Sequence, residues 1–211
     1  MILGIVGFAG SGKGTAGDVL VSKFGFQKVA FADNLKDAVA SIFGWPRHLL
    51  EGDTDESRAF REKADTFWSA KFRREITPRW ALQFFGTEAC RDVLGNNIWI
   101  DSLERKIDGM ENVVITDVRF PNEIDFIKRK GGFVVRVIRG PDPEWYDTAY
   151  DHNISEKFEM YKRYPDIHLS EWAWIGQHFH YHLYNDGSKE QLEANIEYML
   201  TVFRGCGNVN K

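Results

Sequence analysis

Gly7-Phe8-Ala9-Gly10-Ser11-Gly12-Lys13-Gly14-Thr15, entered from the apolar run Ile2-Leu3-Gly4-Ile5-Val6, decides how the rest of this chain is read. Glycines at 7, 10, 12 and 14 let a backbone turn tightly with its N–H groups pointing inward, and a helix starting near Gly14 adds its positive end. That is a P-loop, a socket for polyphosphate in which Lys13 reaches the β- and γ-phosphates as a mobile charge. The pattern G-x-x-x-x-G-K-[ST] is met up to its last place. There Gly14 stands, and the hydroxyl that should face Mg²⁺ arrives one residue later, as Thr15. A plain glycine-rich turn with an exposed lysine would not need the strand, the spacing and the helix to agree as they do.

Outward from the loop, 211 residues with 43% hydrophobic content suffice for one large α/β folding unit. Lys and Arg number 27 against 31 Asp and Glu, a net charge of −4, so there is no global attraction to nucleic acid or anionic membrane and any anion site must be local. Cys90 and Cys206 are far apart in sequence and outside nucleophile motifs, which reads as free thiols in a reducing compartment. The start lacks a basic leader and its apolar run is far short of the roughly 20 residues that span a bilayer, so a cytoplasmic protein is expected. No repeat, heptad or low-complexity tract is present.

Helical spacing runs from Thr15 to Phe24 and closes at Gly25. Phe26 to Ala32 reads as a buried strand, and Asp33 or Asn34 then caps a helix bearing Leu35, Ala38, Val39 and Ile42. A strand–helix–strand–helix start means a parallel sheet covered on both faces. Sites in such sheets lie at the carboxyl ends of strands, so Asp33, Asn34 and Lys36 are candidates to face the P-loop, against the alternative of a helix cap and a solvated lysine.

Gly44-Trp45-Pro46 ends that helix, Glu51 to Ser57 reads as a loop, and a charged helical segment follows. Thr77 as N-cap and Pro78 at the first helical position start the next helix, through Ala81, Leu82, Phe84 and Phe85. Arg73, Arg74, Arg79 and Arg91 make this an arginine-bearing insert. The guanidinium fork suits phosphate oxygens, so the insert is a candidate to hold a second substrate, although solvated surface arginines are the commoner case.

Asn96-Asn97 caps a helix with Ile98, Trp99, Ile100, Leu103 and Ile107 at core spacing. Then Asn112 to Ile115 leads as an apolar strand into Thr116-Asp117-Val118-Arg119-Phe120-Pro121-Asn122-Glu123, ending in an acid and an arginine before a Pro-started helix. Asp117 is placed like a Walker-B acid that orders Mg²⁺ or its waters, and Arg119 can reach a phosphate; the competing reading is an Asp–Arg pair securing a turn.

Gly131-Gly132 precedes a buried-type strand, Phe133 to Ile138, from which Arg139 leaves the sheet as a candidate for phosphates or an adenine face. Residues 142 to 177 read as long, irregular and aromatic, in the manner of a functional lid. His168-Leu169-Ser170-Glu171 is a candidate capped helix start, and Asp151-His152-Asn153-Ile154-Ser155-Glu156 resembles it. His152, His168, His178, His180 and His182 invite a metal reading, but without Cys partners or an H-E-x-x-H helix zinc is not expected. A strand around Tyr181 to Tyr184, the turn Asn185-Asp186-Gly187-Ser188 and a helix with Leu192, Ile196, Met199, Leu200 and Phe203 inward complete the chain.

Taken together, Phe31-Ala32-Asp33-Asn34-Leu35-Lys36-Asp37-Ala38, Arg79 to Glu88, Asp117-Val118-Arg119 with Asn122-Glu123, His168 to Glu171 and Asn185-Asp186-Gly187 resemble the bacteriophage deoxynucleoside monophosphate kinases, in order from the P-loop to the last helix. Adenylate kinase and its relatives carry the same G-K-G-T ending. The resemblance implies the α/β P-loop nucleoside monophosphate kinase fold, a three-layer arrangement with a five-stranded parallel sheet ordered 2-3-1-4-5. It implies one kinase domain with a core of 1–43, 96–140 and 178–211, a helical substrate-binding insert at about 44–95 and a lid-like segment at about 141–177. In that frame Gly10, Ser11, Gly12, Lys13 and Gly14 hold the ATP phosphates, Thr15 and Asp117 the Mg²⁺ side, Arg119 and Lys36 the phosphates at the transfer point. The turn Asn185-Asp186-Gly187 forms the adenine-side loop, and Asp33 orients the sugar or Lys36. The segment 142 to 167 matches least, which leaves the accepted base open.

The implied reaction is ATP plus dNMP to ADP plus dNDP, with ATP and Mg²⁺ as cofactors and small molecules as the partners; a homodimer is left open. The acceptor is a phosphate oxygen already anionic at pH 7, so positioning and charge neutralisation dominate and no base is required. Two alternatives are weighed. A kinase for another acceptor, such as phosphomevalonate or dephospho-coenzyme A, shares loop and sheet, the latter needing Asp33 as base; a regulatory ATP-binding protein would bind without acceptor-dependent ADP release.

Overall fold

The computed structural model describes residues 1–155 and 159–207, with side chains to residue 205. Among them the chain divides into two compact units, Met1–Ala30 with Gly109–Lys211, and Phe31–Asp108. Five strands, β1 (Ile2–Val6), β2 (Gln27–Val29), β3 (Val113–Ile115), β4 (Phe133–Ile138) and β5 (Tyr181–Tyr184), belong to the first unit. The helices, in chain order, are α1 (Lys13–Phe24), α2 (Asp33–Phe43), α3 (Asp55–Glu62), α4 (Thr66–Phe72), α5 (Pro78–Phe84), α6 (Arg91–Leu94), α7 (Ile98–Lys106), α8 (Pro121–Arg129), α9 (Tyr146–Ser155), α10 (Glu159–Arg163) and α11 (Lys189–Gly207). No helix among the described residues is long and apolar enough to cross a membrane.

The sheet is parallel in the order β2-β3-β1-β4-β5, the order expected, with Leu3 opposite Val114 on one side and Phe133 on the other. β1 is central and wholly apolar apart from Gly4, as a strand covered on both faces must be. The edge strand β2 is three residues long and exposes Gln27 and Lys28, so the seven-residue strand expected over Phe26 to Ala32 shrinks to its paired centre. On one face Leu3, Ile5, Val135, Val137 and Leu183 meet Val19 and Leu20 of α1, together with Leu192, Ile196, Met199, Leu200 and Phe203 of α11. Each such side chain contributes about 1.5–3 kcal/mol on burial, and α11 contributes five, the same five its periodicity names. The opposite face is covered by α8, whose Ile127 methyl lies against Gly4.

The helical unit has its own core of Val39, Phe43, Trp45, Leu50, Ile76, Ala81 and Leu82. Phe43 stacks on Trp45 at 4.4 Å, while the indole N–H of Trp45 donates to Asp65 at 2.8 Å and that of Trp68 to the Phe43 carbonyl at 2.9 Å. Thr77 caps α5 as its sequence implies, accepting the Trp80 N–H at 3.1 Å with Pro78 behind it. A single wider turn, Phe85–Ala89, continues α5.

Three local readings are corrected. Within 51–57 the chain is already helical from Asp55, because Thr54 and Ser57 form a reciprocal cap at 3.0 and 3.1 Å. Asp33 is not the cap of α2 but its first residue, the N-cap being Ala32; ion pairs described below take its carboxylate instead. Within 142–177 the described residues form α9, α10 and the short turn Leu169–Glu171, joined by irregular chain; Trp172 and Trp174 are fully buried while Tyr150 and Tyr161 are exposed, and Asp151 lies inside α9 instead of starting a helix. Glu156 and the Cys206 side chain lie outside the described residues; Cys90 is half-buried with a free thiol.

Candidate functional site

At the carboxyl end of β1 the chain turns through Gly7, Gly10 and Gly12, with φ of 146°, 79° and 94° respectively, before α1 begins at Lys13. Gly7 and Gly12 are glycines by necessity. A Cβ at Gly7 would come within 2.5 Å of the Val137 carbonyl oxygen, and one at Gly12 would collide with the side-chain amide of Asn185. Gly14 has room around it, and Thr15 is exposed on the first turn of α1. Lys13 folds its ammonium back into the loop, donating to the carbonyls of Gly7 at 2.7 Å and Phe8 at 2.8 Å. Burial, and secondarily the nearby Arg119 guanidinium, lowers the Lys13 pKa to about 8, with Glu171 opposing the shift.

The turn after β5 is stitched to this loop. Asn185 donates to the Ser11 carbonyl at 2.9 Å and Asp186 accepts the Gly140 N–H at 2.6 Å, so both side chains hold backbone. The hydroxyl of Ser11 is buried with no hydrogen-bond partner among the described residues.

Asp117, half-buried, follows β3, which lies directly beside β1 in the sheet. The first turns of α1 approach the same point, since a Cβ at Gly17 would come within 2.7 Å of the Thr116 methyl. Arg119 is held at both ends. Its backbone N–H and that of Phe120 donate to the Glu123 carboxylate at 2.7 and 3.1 Å, and its Nη1 donates to Ser170 Oγ at 3.1 Å and Glu171 Oε1 at 2.9 Å. Glu123 is 4% exposed and sits at the third position of a Pro-started helix, a capping role its sequence pattern announces.

Beside the loop lies a cavity of about 320 Å³ lined by Phe8, Ser11, Arg136, Arg139, Trp145 and Glu171 among others. Arg139 is exposed at its rim, whereas Arg136, inside β4, is buried. The Arg136 guanidinium donates to Tyr146 Oη at 3.0 Å, pairs with Asp142, and lies 4.8–5.8 Å from the rings of Phe8, Tyr146 and Trp174. The expected role for His180 and His182 as an outer pair on one strand holds only for His182. His180 precedes β5, and its ring Nδ1 accepts the Val134 N–H at 2.9 Å while its backbone N–H donates to the Val134 carbonyl at 2.8 Å.

Within the helical unit, Asp33 pairs with Lys106 at 3.0 Å and Arg47 at 3.5 Å, Lys36 with Glu51 at 2.6 Å, and Asn34 donates to Ser102 Oγ at 2.5 Å. Burial pushes the Glu51 carboxyl up, but Lys36 and Arg47 outweigh it and hold it below the usual range. The four candidate arginines of the insert have separate engagements. Arg73 closes α4 in the left-handed region at φ 53°, Arg74 stacks over Trp80 at 4.0 Å, Arg79 pairs with Glu62, and Arg91 opens α6.

Sequence reasoning missed Arg47, Arg136 and the specific partnership of Glu171. Arg136 carried a signal, a charge inside an apolar strand, which must be paired to be tolerated. Arg47 carried none, and Glu171 stood in the quoted stretch His168 to Glu171 with nothing to point to Arg119. Among the described residues no cluster of three or more His, Cys, Asp or Glu could hold a metal alone.

No protein-family model matches the chain. A protein of Acanthamoeba polyphaga mimivirus named putative deoxynucleotide monophosphate kinase is 34% identical over 153 residues, covering 66% of this chain and 74% of its own length. The chain belongs to the deoxynucleoside monophosphate kinase family. A deoxynucleoside-5'-monophosphate kinase of Escherichia phage T5 is 46% identical over 55 residues, 25% of this chain and 22% of that protein. Among solved structures, shikimate kinase from Aquifex aeolicus is 14% identical, with a TM-score of 0.45 over 100% of both chains, which adds nothing to what the sheet order already establishes. By its family this chain is a nucleotide kinase, hence a phosphotransferase, and it carries a P-loop.

Proposed function

We propose that this kinase transfers the γ-phosphoryl group of ATP to a deoxynucleoside monophosphate, giving ADP and dNDP. Family membership supports the reaction, and one observation carries the assignment of its centre. Lys13 and Arg119, from separate elements, lie close enough for the charge of one to disfavour the charge of the other. Two cations so arranged at the start of α1 suit a polyanion that neutralises both.

In this reading the loop residues Gly10 to Gly14 and Lys13 bind the β- and γ-phosphates, and Arg119 neutralises charge on the transferring group. Arg139 meets the adenine from the rim of the cavity. Asn185, Asp186 and Gly187 serve that side through their backbone, since the first two side chains are engaged in holding the loop. On the acceptor side Lys36, Arg73, Arg74, Arg79 and Arg91 supply candidate phosphate ligands, with Lys36 oriented by Glu51 and Asp33 left to orient the sugar. No residue need act as base, because the attacking phosphate oxygen is anionic at pH 7.

The oxygen donors Thr15 and Asp117 suit Mg²⁺, which takes one or two protein ligands and completes its shell with phosphates and waters. The closeness of α1 to Thr116, the neighbour of Asp117, supports so sparse a set. Bound there, Mg²⁺ supplies charge neutralisation and orientation of the phosphates.

The test is a coupled assay of ADP release with ATP and Mg²⁺ against dNMPs, NMPs, phosphomevalonate and dephospho-coenzyme A. Release is expected only with dNMPs, or with dNMPs far above the rest, and is abolished by EDTA. Release with another acceptor alone, or ATP binding without acceptor-dependent turnover, overturns the reading.

A further inference from the structure

The short turn Leu169–Glu171 is anchored from beneath and carries two oxygen acceptors on top. His168 Nδ1 accepts the Ser170 N–H at 3.2 Å, and the next residue, Trp172, is 1% exposed with its indole N–H donating to the Ile167 carbonyl at 3.3 Å. Ser170 Oγ and Glu171 Oε1 converge on one atom, Nη1 of Arg119. The root of the same arginine is tied through its backbone N–H to the buried Glu123. Among the described residues no partner takes Arg119 Nε or Nη2, so the edge of the guanidinium that forms bidentate pairs with phosphate is left over.

We propose that Glu171, assisted by Ser170, is a positioning residue of the phosphoryl-transfer centre, fixing Arg119 by one nitrogen so that its Nε–Nη2 edge is presented to phosphate oxygens. The inference rests on Arg119 being the phosphate ligand of the proposed function. An exposed arginine has four soft side-chain torsions and is repelled by the Lys13 ammonium; a carboxylate on a rigid turn orders it before substrate arrives, which lowers the ordering cost at binding. Glu171 also lines the cavity beside Phe8 and Ala9, and its charge favours protonated Lys13, so one carboxylate steadies both cations.

Steady-state kinetics with ATP and the accepted dNMP test this in Glu171→Ala, Glu171→Gln, Ser170→Ala, Arg119→Ala and the Arg119→Ala/Glu171→Ala double variant, with circular dichroism as the check on folding. Glu171→Ala should lower kcat by on the order of 10- to 10²-fold with KM for ATP little changed, as misplacement of a catalytic group does. Glu171→Gln, which still offers an acceptor oxygen, should recover most of that loss, and Ser170→Ala should cost less than Glu171→Ala. In the Arg119→Ala background the second substitution should have no further effect. Wild-type turnover in Glu171→Ala, or losses that multiply in the double variant, would overturn the positioning role while leaving Arg119 in place. Wild-type turnover in Arg119→Ala would instead overturn the reading beneath it.

Discussion

Asn185 donates its side-chain amide to the carbonyl oxygen of Ser11 at 2.9 Å, joining positions 174 residues apart and bracing the phosphate loop from the turn after β5. The same amide occupies the space a Cβ would need at Gly12, whose φ is 94°. Loop and brace therefore constrain each other. Asn185→Ala should lower stability by about 0.5–1.5 kcal/mol and raise the Kd for ATP. Gly12→Ala should cost more, about 1–3 kcal/mol for the left-handed backbone with the collision in addition, and should abolish ATP binding. Thermal melts and ATP titration read both; undiminished ATP affinity in Gly12→Ala would show that this loop geometry is not what binds phosphate.

The Lys13 ammonium predicts two opposite pH trends. Its pKa falls from 10.5 to about 8 in the fold. Between those values the unfolded chain binds a proton that the folded chain does not, so this group's contribution to stability rises with pH across that window. Phosphate affinity needs the charged form, so ATP binding should weaken as pH rises through about 8. Calorimetry in buffers of different ionisation enthalpy should show proton uptake on ATP binding at pH 8–9. Lys13→Met should lose the uptake and cut turnover by on the order of 10³, in the range seen when a phosphoryl-centre cation is removed. Uptake unchanged in that variant would assign the proton to another group.

The parallel sheet and the inward face of α11 were legible because they rest on local pattern: an unbroken apolar β1, a glycine-rich turn, and apolar residues of α11 at helical spacing; the strand order came only with the family resemblance. Caps at Thr77 and Pro78 were legible for the same reason. What escaped was set by distant partners. Asp33 has the residue type of a cap, but Lys106, 73 residues away, and Arg47 draw its carboxylate into ion pairs. The helices of the aromatic stretch after β4 escaped because α9 buries only Ala149 and His152 and has no clean amphipathic period, while Trp172 and Trp174 are buried by tertiary packing in the turn beyond them. Arg119 was found, and so was the stretch His168 to Glu171, but nothing local shows that Glu171, 52 residues on, grips the arginine.

Glu123 tests how far Arg119 depends on its backbone anchor. Its buried carboxylate accepts the N–H groups of Arg119 and Phe120. Glu123→Ala leaves those donors without that acceptor and should lower stability by about 1–3 kcal/mol. Turnover of the folded fraction should fall as well, because the arginine loses its root. Glu123→Gln keeps one acceptor oxygen and should lie between. Chemical denaturation alongside kcat separates the two effects, and full turnover in a destabilised Glu123→Ala would confine the residue to capping α8.

Arg136 and Asp142 should respond unequally to substitution, because burial is unequal between them. The arginine side chain is 8% exposed and the aspartate 36%. Arg136→Met replaces a buried cation by an apolar chain among Phe8, Tyr146 and Trp174 and leaves behind only a carboxylate that water can reach, so stability should change little. Asp142→Ala removes the counter-charge from a largely buried guanidinium that keeps its hydrogen bond to Tyr146 and should cost about 1.5–3 kcal/mol. Equal losses in the two variants would mean the pair, rather than the buried charge, is what matters. Arg136→Met should nevertheless raise KM for ATP, since Phe8 of the phosphate loop loses the cation that orders its ring against Trp174 at 5.0 Å.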